Sequence, residues 1–251
     1  MSAVAAPRPG VDLTRVRLFS IPIAVLVGLG LASALYHTIS GSIADDQIIN
    51  YDFLSARLVE HLVISGVSFA IVAAAFVPLG VLIAGAGRVV RVPIFLLANV
   101  GQAVPGIGVL ALLYVWLGLG QEPTIIALVA YGALPVLRNT VAGIQSVDPA
   151  AVEAARGMGM TRWQGMSRVE LPLASPLIFA GLRTSLVLII GTATLGSFIG
   201  GGGLGVVIAS GINISNRIIF VGAVMVATLA LLADWALSLV ERISVPRVIR
   251  T

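Results

Sequence analysis

Few residues of this chain have the chemistry needed for catalysis or metal binding. The sequence contains no cysteine, and its two histidines, His37 and His61, lie far apart. A cysteine nucleophile and a thiolate metal site are therefore excluded, and no HExxH motif supports a membrane-embedded enzyme. Four glycines at 200–203 lack the following Gly-Lys-Ser/Thr of a phosphate-binding loop. We expect no catalytic residue, no metal site and no cofactor in this chain.

Asp234 is the only acidic residue deep within a long apolar segment. Acids inside membranes are costly and usually functional, so a coupling-ion site of a self-contained secondary transporter is one interpretation. Such transporters often contain inverted repeats, and this sequence shows no convincing repeat. Because Asp234 lies near the end of its segment, beside Trp235, we favour a structural ion pair with an arginine.

The composition requires a lipid environment around much of the chain. Of its 251 residues, 58% are hydrophobic and 10% are charged, with a mean hydropathy of +1.06. Soluble domains carry about 25% charged residues, so this chain cannot cover a globule with polar side chains. We predict an all-α membrane protein.

About 20 apolar residues are needed for a helix to cross about 30 Å of hydrocarbon. Six segments meet this length, at about 18–38, 60–86, 94–118, 124–144, 173–199 and 218–240. The first resembles a signal peptide, but it is too long and lacks a cleavage site, so we expect a retained span. Pro105 should kink or break the third span, because proline removes a backbone hydrogen bond.

The arginines orient these spans. All 15 basic residues are arginine, and placing both termini in the cytoplasm leaves only Arg57 and Arg217 outside. This asymmetry predicts an N-in, C-in arrangement of six spans. It also explains the basic net charge, so we expect lipid and not nucleic acid as the partner of the basic residues.

These features divide the chain into a tail, an additional span and a core. We predict a cytoplasmic tail at 1–17, an extra N-terminal span at 18–38 and an extracytoplasmic linker at 39–55. A five-span unit follows at 56–240, containing a cytoplasmic loop at 147–172, and a second cytoplasmic tail occupies 241–251.

The cytoplasmic loop predicts two short helices. Asp148 is a good N-cap and Pro149 a good first-turn residue. Gly159 permits a turn, after which Thr161 caps a second helix that should end before Pro172.

Met158, Met160 and Trp163 place apolar side chains on this charged, water-facing loop. Apolar residues on a short rigid helix in water indicate a docking surface. The alternative is contact with lipid headgroups, where tryptophan is common. The residue types alone leave both interpretations open.

A known motif lies in the same loop, with Glu153, Ala154, Ala155, Gly159, Val169, Leu171 and Pro172 at its positions. These residues resemble the EAA motif of type I ABC importer permeases at every spacing, and valine in place of isoleucine is the one departure. The resemblance implies a permease of the bacterial cell membrane that works by alternating access. It implies partner ATPases that hold ATP and magnesium, a second permease copy or paralogue, and an extracytoplasmic solute-binding protein.

The resemblance also assigns a docking role to the loop. In this family the loop forms coupling helices that fit a groove of the ATPase, with small alanines allowing close approach. The residues expected to couple to the ATPase are Glu153, Ala154, Ala155, Met158, Gly159, Met160, Trp163, Leu171 and Pro172.

Other stretches resemble one branch of the family. Residues 133–140, 157–163, 171–184, 189–194 and 198–205 are similar to permeases of glycine betaine, carnitine and choline importers. The resemblance implies a quaternary ammonium osmoprotectant, with an amino acid or another small solute as the alternative. Quaternary ammonium groups are usually held by aromatic cages. No aromatic cluster is visible, which fits a permease that leaves selection to a separate binding protein.

A solute path should have polar side chains and broken helices near the middle of the membrane. The candidates are Asn99, Gln102, Pro105, Thr192, Thr194 and Ser197. Their polar side chains could instead join helices to each other. The consecutive Gly200, Gly201, Gly202 and Gly203 are a candidate hinge, since glycine adopts angles closed to other residues, or a plain loop.

Overall fold

The computed structural model of the chain describes residues 13–39 and 45–244, and the regular structure of these residues is helical. The helices are α1 (Leu13–Tyr36), α2 (Asp45–Ile48), α3 (Tyr51–Ala84), α4 (Arg88–Ala103), α5 (Gly106–Leu117), α6 (Gln121–Gln145), α7 (Pro149–Gly157), α8 (Arg162–Gly165), α9 (Leu171–Ala193), α10 (Leu204–Gly211) and α11 (Asn216–Ser244). A π-helical turn, Met166–Glu170, joins α8 to α9, and a 3-10 helix, Thr194–Ile199, follows α9. Parts of the predicted tails and linker, at 1–12, 40–44 and 245–251, lie outside the described residues.

The predicted all-helical membrane fold is confirmed. Within the described ranges, four helical segments are long and apolar enough to span a membrane: Tyr51–Ala84, Gln121–Gln145, Arg162–Ile199 and Asn216–Ser244. Helices α4 and α5 together make a fifth, and the apolar part of α1, Ser20–Tyr36, is shorter. Each predicted segment falls on a helix, while the count of six and the N-in, C-in orientation stay predictions.

The predicted break at Pro105 is present. Helix α4 ends at Ala103, α5 begins at Gly106, and the two axes differ by 98°. Proline has no N–H to donate and its ring disfavours helix in the preceding residue, so the helix stops there. The hydroxyl of Tyr131 donates to the Val104 carbonyl at this break. Helix α6, which carries Tyr131, thus supplies a hydrogen bond to a backbone carbonyl at the break.

Helix α3 begins about nine residues earlier than the predicted span. Asn50 caps it, because its side-chain oxygen accepts the Phe53 N–H at 2.9 Å. Asp52 lies in the first turn, where a negative charge is favourable, and Arg57 pairs with Glu60 at 2.8 Å. These polar contacts extend the helix past the apolar segment.

Helix α6 packs between α3 and α9 at the centre of the bundle. Glycines allow this approach: a Cβ on Gly181 of α9 would lie 2.6 Å from Asn139 Cβ, and one on Gly80 of α3 would lie 2.7 Å from Thr140 Cβ. Ser185 of α9 donates to the Gly132 carbonyl of α6 at 2.9 Å. In lipid the hydrophobic effect does not drive helices together. They associate instead through close packing of small residues and through hydrogen bonds between helices, as seen here.

Helix α11 packs on α9 and α10, and α1 packs on α11. The predicted ion pair of Asp234 is confirmed: its carboxylate lies 3.0 Å from Arg183 Nε of α9. Glu241 accepts a hydrogen bond from the same guanidinium at 2.6 Å. An acid that a secondary transporter would need free for an ion is therefore already paired.

Candidate functional site

The first helix of the motif loop, α7, is capped at both ends. Asp148 accepts the Ala150 N–H at 2.9 Å, as its predicted N-cap role requires. At the other end Met160 N–H donates to the Ala155 carbonyl and Gly159 N–H to that of Arg156. This pair of bonds is a Schellman motif, and Gly159 has the positive φ of 79° that the motif needs. The predicted turn at Gly159 is confirmed.

The second helix also starts where the sequence predicts. Thr161 and Gln164 form a capping box: Thr161 Oγ1 accepts Gln164 N–H at 3.3 Å, and Gln164 Oε1 accepts Thr161 N–H at 2.9 Å. The predicted end before Pro172 is wrong, since α8 continues through the π-helical turn into α9. Leu171 N–H donates five residues back, to Met166, so the hydrogen-bond pattern changes just before the proline. A missing N–H costs little at such a start of an α-helical segment.

The loop presents apolar side chains to its surroundings. Met158 is 69% exposed and Trp163 72%, while Glu153 and Ala154 on α7 are exposed too. Ala155 is the exception at 2% exposure, because it faces the rest of the chain. The motif alanines therefore have different surroundings, and only Ala154 is free to contact a partner.

A cavity of about 590 Å³ separates the loop from the ends of α3 and α6. Its lining includes Ala84, Ile144, Ala155, Met160 and Arg162. Gln145 closes one side, where its side-chain amide donates to the Ala84 carbonyl at 3.1 Å. Open space thus lies between the loop and the ends of these two helices.

The candidate path residues lie on two parts of the chain, the helices around the Pro105 break and the end of α9 with its 3-10 helix. The Pro105 break brings Gly106 close to α9, where an added Cβ would lie 3.7 Å from Thr192 Cγ2. Asn99 and Gln102 instead bond across helices, Asn99 accepting from Arg138 at 2.7 Å and Gln102 donating to the Tyr131 carbonyl at 2.7 Å. The other two, Thr194 and Ser197, donate within their own helix, to Gly191 and Thr194. A path-lining role for these residues stays a prediction.

The glycine run forms a tight loop between the 3-10 helix and α10. Gly200, Gly202 and Gly203 have positive φ angles of 76°, 81° and 76°, which other residues rarely adopt. The backbone also lies close to α3: a Cβ on Gly202 would be 2.6 Å from Glu60 Oε2, and one on Gly203 2.8 Å from His61 Nδ1. Glycine is therefore required here for space as well as for angle, and the hinge role stays a prediction.

Sequence reasoning missed Glu60 and His61. Glu60 Oε2 accepts the Gly203 N–H at 2.9 Å, and His61 Nδ1 accepts the Leu204 N–H at 3.3 Å. The other ring nitrogen of His61 is 3.0 Å from the Ile190 carbonyl of α9. The available signal was an adjacent acid and histidine at the start of an apolar run.

The chain is similar to permeases that are named for the import of osmoprotectants. The chain is 40% identical over 213 residues to the carnitine transport permease protein OpuCD of Listeria monocytogenes, with 82% of this chain and 89% of that protein covered. It is 43% identical to the glycine betaine/carnitine/choline permease OpuCB of Bacillus subtilis, covering 75% and 87%. The choline permease OpuBB of the same organism is also 43% identical, covering 73% and 84%.

Solved structures and a family match agree on the architecture. The fold resembles that of the MetNI methionine ABC transporter in inward-facing conformations, with TM-scores of 0.67 and 0.69 at 22% identity. These alignments cover 77% and 80% of this chain and 96% and 99% of the solved chains. Residues 76–243 match the family described as binding-protein-dependent transport system inner membrane component. The chain therefore belongs to this family of multi-pass inner-membrane permeases, the non-catalytic subunits of ABC importers whose ATP is hydrolysed by a partner ATPase.

Proposed function

We propose that this permease moves a quaternary ammonium osmoprotectant, such as glycine betaine, carnitine or choline, into the cell by alternating access. The observation that carries the proposal is the identity of 40–43%, over at least 73% of the chain, to permeases named for these three solutes. All three solutes carry a quaternary ammonium group. A path suited to one is chemically close to a path for the others.

In this proposal, the motif loop binds the ATPase and is moved by its conformational change. Its exposed Met158 and Trp163 offer apolar anchors, and apolar anchors that fill a partner's pocket carry most of the energy of an interface. Glu153 and Ala154 are exposed on the preceding helix and available to the same partner. Leu171 and Pro172 are partly buried and lie farther along, at the start of α9. We assign them the task of joining the loop to the span.

The helix that follows the loop supplies a mechanical link to the path. From Arg162 to Ile199 the chain is continuously helical, first as α8, then as the π-helical turn, α9 and the 3-10 helix. Trp163 and Thr192 are separated by roughly 40 Å along this helix, at about 1.5 Å per residue. A push by the ATPase on Trp163 would therefore be transmitted to the candidate path residues without a flexible joint.

The proposed partners are two ATPase subunits, a second permease and an extracytoplasmic solute-binding protein. Helix α4 has no buried residue among those described, and Leu110 is the only one in α5. Large apolar side chains such as Leu97, Val115 and Trp116 are instead exposed on these two helices. Faces of this kind are covered by lipid or by a second permease.

Uptake by the complete transporter tests this function. The permease is reconstituted in liposomes with its ATPase and binding protein, and the uptake of radiolabelled glycine betaine, carnitine and choline is measured. We expect uptake of at least one of them that requires ATP, with methionine as the matched solute that is not transported. Transport of methionine alone would favour the amino-acid alternative, and uptake without ATP would overturn the ABC mechanism.

A further inference from the structure

His61 makes two hydrogen bonds that fix its protonation state. It is fully buried, with Nε2 at 3.0 Å from the Ile190 carbonyl and Nδ1 at 3.3 Å from the Leu204 N–H. A carbonyl can only accept, so Nε2 carries the hydrogen, and an N–H can only donate, so Nδ1 carries the lone pair. The ring is therefore neutral and bridges two backbone groups from different elements.

The Ile190 carbonyl does not accept the Thr194 N–H, as it would in a regular α-helix. At the change from α-helix to 3-10 helix, the Thr194 N–H bonds to Gly191 and Thr192 and not to Ile190. A helix carbonyl that loses its partner in an apolar environment carries a desolvation cost. The imidazole of His61 donates to the Ile190 carbonyl from α3, so this end of α9 is joined to the neighbouring helix.

Glu60 extends the contact to the glycine loop. Its Oε2 accepts the Gly203 N–H at 2.9 Å and lies 2.8 Å from Arg57 Nη1. A Cβ on Gly202 would approach the same oxygen to 2.6 Å, so only glycine lets the loop reach the carboxylate. Glu60 and His61, hereafter the clamp, thus hold both the loop and the outer end of α9.

The clamp lies next to the candidate path residues. Ile190 precedes Thr192 by two residues, and the glycine loop follows Ser197 by three. The 3-10 helix at Thr194–Ile199 is therefore flanked by two anchors to α3, at Ile190 four residues before it and at Gly203 four residues after it. A segment held at both ends moves only when its anchor moves.

We propose that Glu60 and His61 are positioning residues for transport, which make α3, the end of α9 and the glycine loop move as one body. The inference rests on the proposed alternating access. Without the clamp the 3-10 helix would shift independently of α9. A push delivered through α9 would then not reach Thr194 and Ser197, the candidate path residues of the 3-10 helix.

Two substitutions of His61 separate its bonds. Asparagine places an amide oxygen near the position of Nδ1, which keeps the hydrogen bond from the Leu204 N–H. Glutamine places an amide nitrogen near the position of Nε2, which keeps the hydrogen bond to the Ile190 carbonyl. We expect His61→Ala to lower the solute transported per ATP about tenfold, with His61→Asn and His61→Gln between this and wild type. ATP hydrolysis should remain in each. Val59→Ala is the matched control, an exposed residue of the same helix.

A second readout does not depend on the solute. The chain has no cysteine, so Ser197→Cys is a unique thiol, labelled by a membrane-impermeant maleimide added to right-side-out vesicles. In this background we expect His61→Ala and Glu60→Ala to raise the labelling rate about tenfold, because the segment opens without its anchors. If the alanine variant of His61 does not insert, its asparagine and glutamine variants and Glu60→Ala decide the question.

The outcomes distinguish the two proposals. Equal losses of uptake and ATP hydrolysis, or unchanged labelling in inserted variants, would show that the clamp only stabilises the fold. If the wild-type transporter takes up none of the three solutes, the proposed function fails, while the labelling rates still support or overturn the clamp.

Discussion

The guanidinium of Arg183 on α9 contacts the Asp234 carboxylate of α11 at 3.0 Å, and it also bonds to Glu241 at 2.6 Å. One arginine thus joins two acids that are seven residues apart on the same helix. The contact to Asp234 is an ion pair without an aligned N–H, since Arg183 Nε and Asp234 Oδ1 form no hydrogen bond. Its contribution is therefore the attraction of opposite charges, which holds α11 to the helix that carries the motif loop.

Replacing Arg183 should destabilise the permease more than replacing Arg242. Arg183→Leu leaves two partly buried carboxylates without their counter-charge, and we expect the free energy of unfolding to fall by about 2 kcal/mol. The side chains are about a quarter exposed, which places the loss below that of a fully buried pair. Unfolding of the purified permease in mixed micelles measures the change, and the matched control is Arg242→Leu on α11. Equal stability of both variants would contradict the prediction.

Asp234→Asn separates a structural acid from a coupling-ion site. It keeps the shape of the side chain and removes its charge, while Glu241 retains a bond to Arg183. We expect uptake driven by ATP to stay within about twofold of wild type, because charge-pair losses at partly exposed sites are small. Loss of transport in a variant of normal stability would restore the interpretation of Asp234 as an ion site.

Trp163→Ala should weaken binding of the ATPase without affecting membrane insertion. Tryptophan is a common anchor of interfaces, and this side chain is 72% exposed, so its removal disturbs little of the permease itself. We expect about a tenfold loss of affinity in pull-down titrations with the purified ATPase, and a smaller loss for Glu153→Ala. Ala150→Ser, exposed at the start of the same loop, is the control. Wild-type affinity in the tryptophan variant would remove the docking role.

Two glycines of the loop offer a matched comparison of backbone angle. Gly159 has a φ of 79°, whereas Gly157, in the last turn of α7, does not have a positive φ. A Cβ added at either glycine would have no atom within 4 Å, so the two positions differ in angle and not in space. Gly159→Ala should therefore lower stability by about 1 kcal/mol through backbone strain alone. Gly157→Ala should be neutral or stabilising, because alanine restricts the unfolded chain. Thermal unfolding of the isolated permease compares them, and equal shifts would mean that the turn is not strained.

Features encoded by neighbouring residues were predictable from the sequence. The caps at Asp148 and Thr161, the turn at Gly159 and the break at Pro105 each depend on a few adjacent residues, and all are present. The arginine partner of Asp234 was also predictable, since a charge in an apolar segment requires one.

Features that depend on tertiary approach were not predictable. The clamp of Glu60 and His61 contacts residues about 130 to 143 positions away in the sequence. No local sequence pattern indicates a contact over such a separation. The predicted end of the second loop helix, before Pro172, was wrong because the residues there form an uncommon turn. Proline normally stops a helix, but here a π-helical turn changes the hydrogen-bond pattern just before Pro172, and such turns are rare.

The π-helical turn at Met166–Glu170 sets the direction in which the loop faces. It contains an extra residue relative to an α-helix, as shown by the bond from Leu171 N–H to the Met166 carbonyl five residues back. Because the wide turn absorbs this residue, deleting Ser167 would restore the α-helical pattern and leave the direction of α8 relative to α9 nearly unchanged. Deleting both Ser167 and Arg168 would instead rotate α8 by about 100° relative to α9. Trp163 would then point away from its present direction.

We expect the double deletion of Ser167 and Arg168 to abolish binding of the ATPase while the permease still inserts and α9 remains packed on α6. The single deletion of Ser167 should keep binding. Ser167→Ala is the control, because it removes the hydroxyl bond to the Trp163 carbonyl at 2.9 Å but keeps the register. Pull-down with the ATPase and protease protection of the loop in vesicles measure both effects. An alanine variant as defective as the double deletion would assign the effect to the Ser167 hydroxyl. Full binding by the double-deletion variant would show that the turn does not orient the loop.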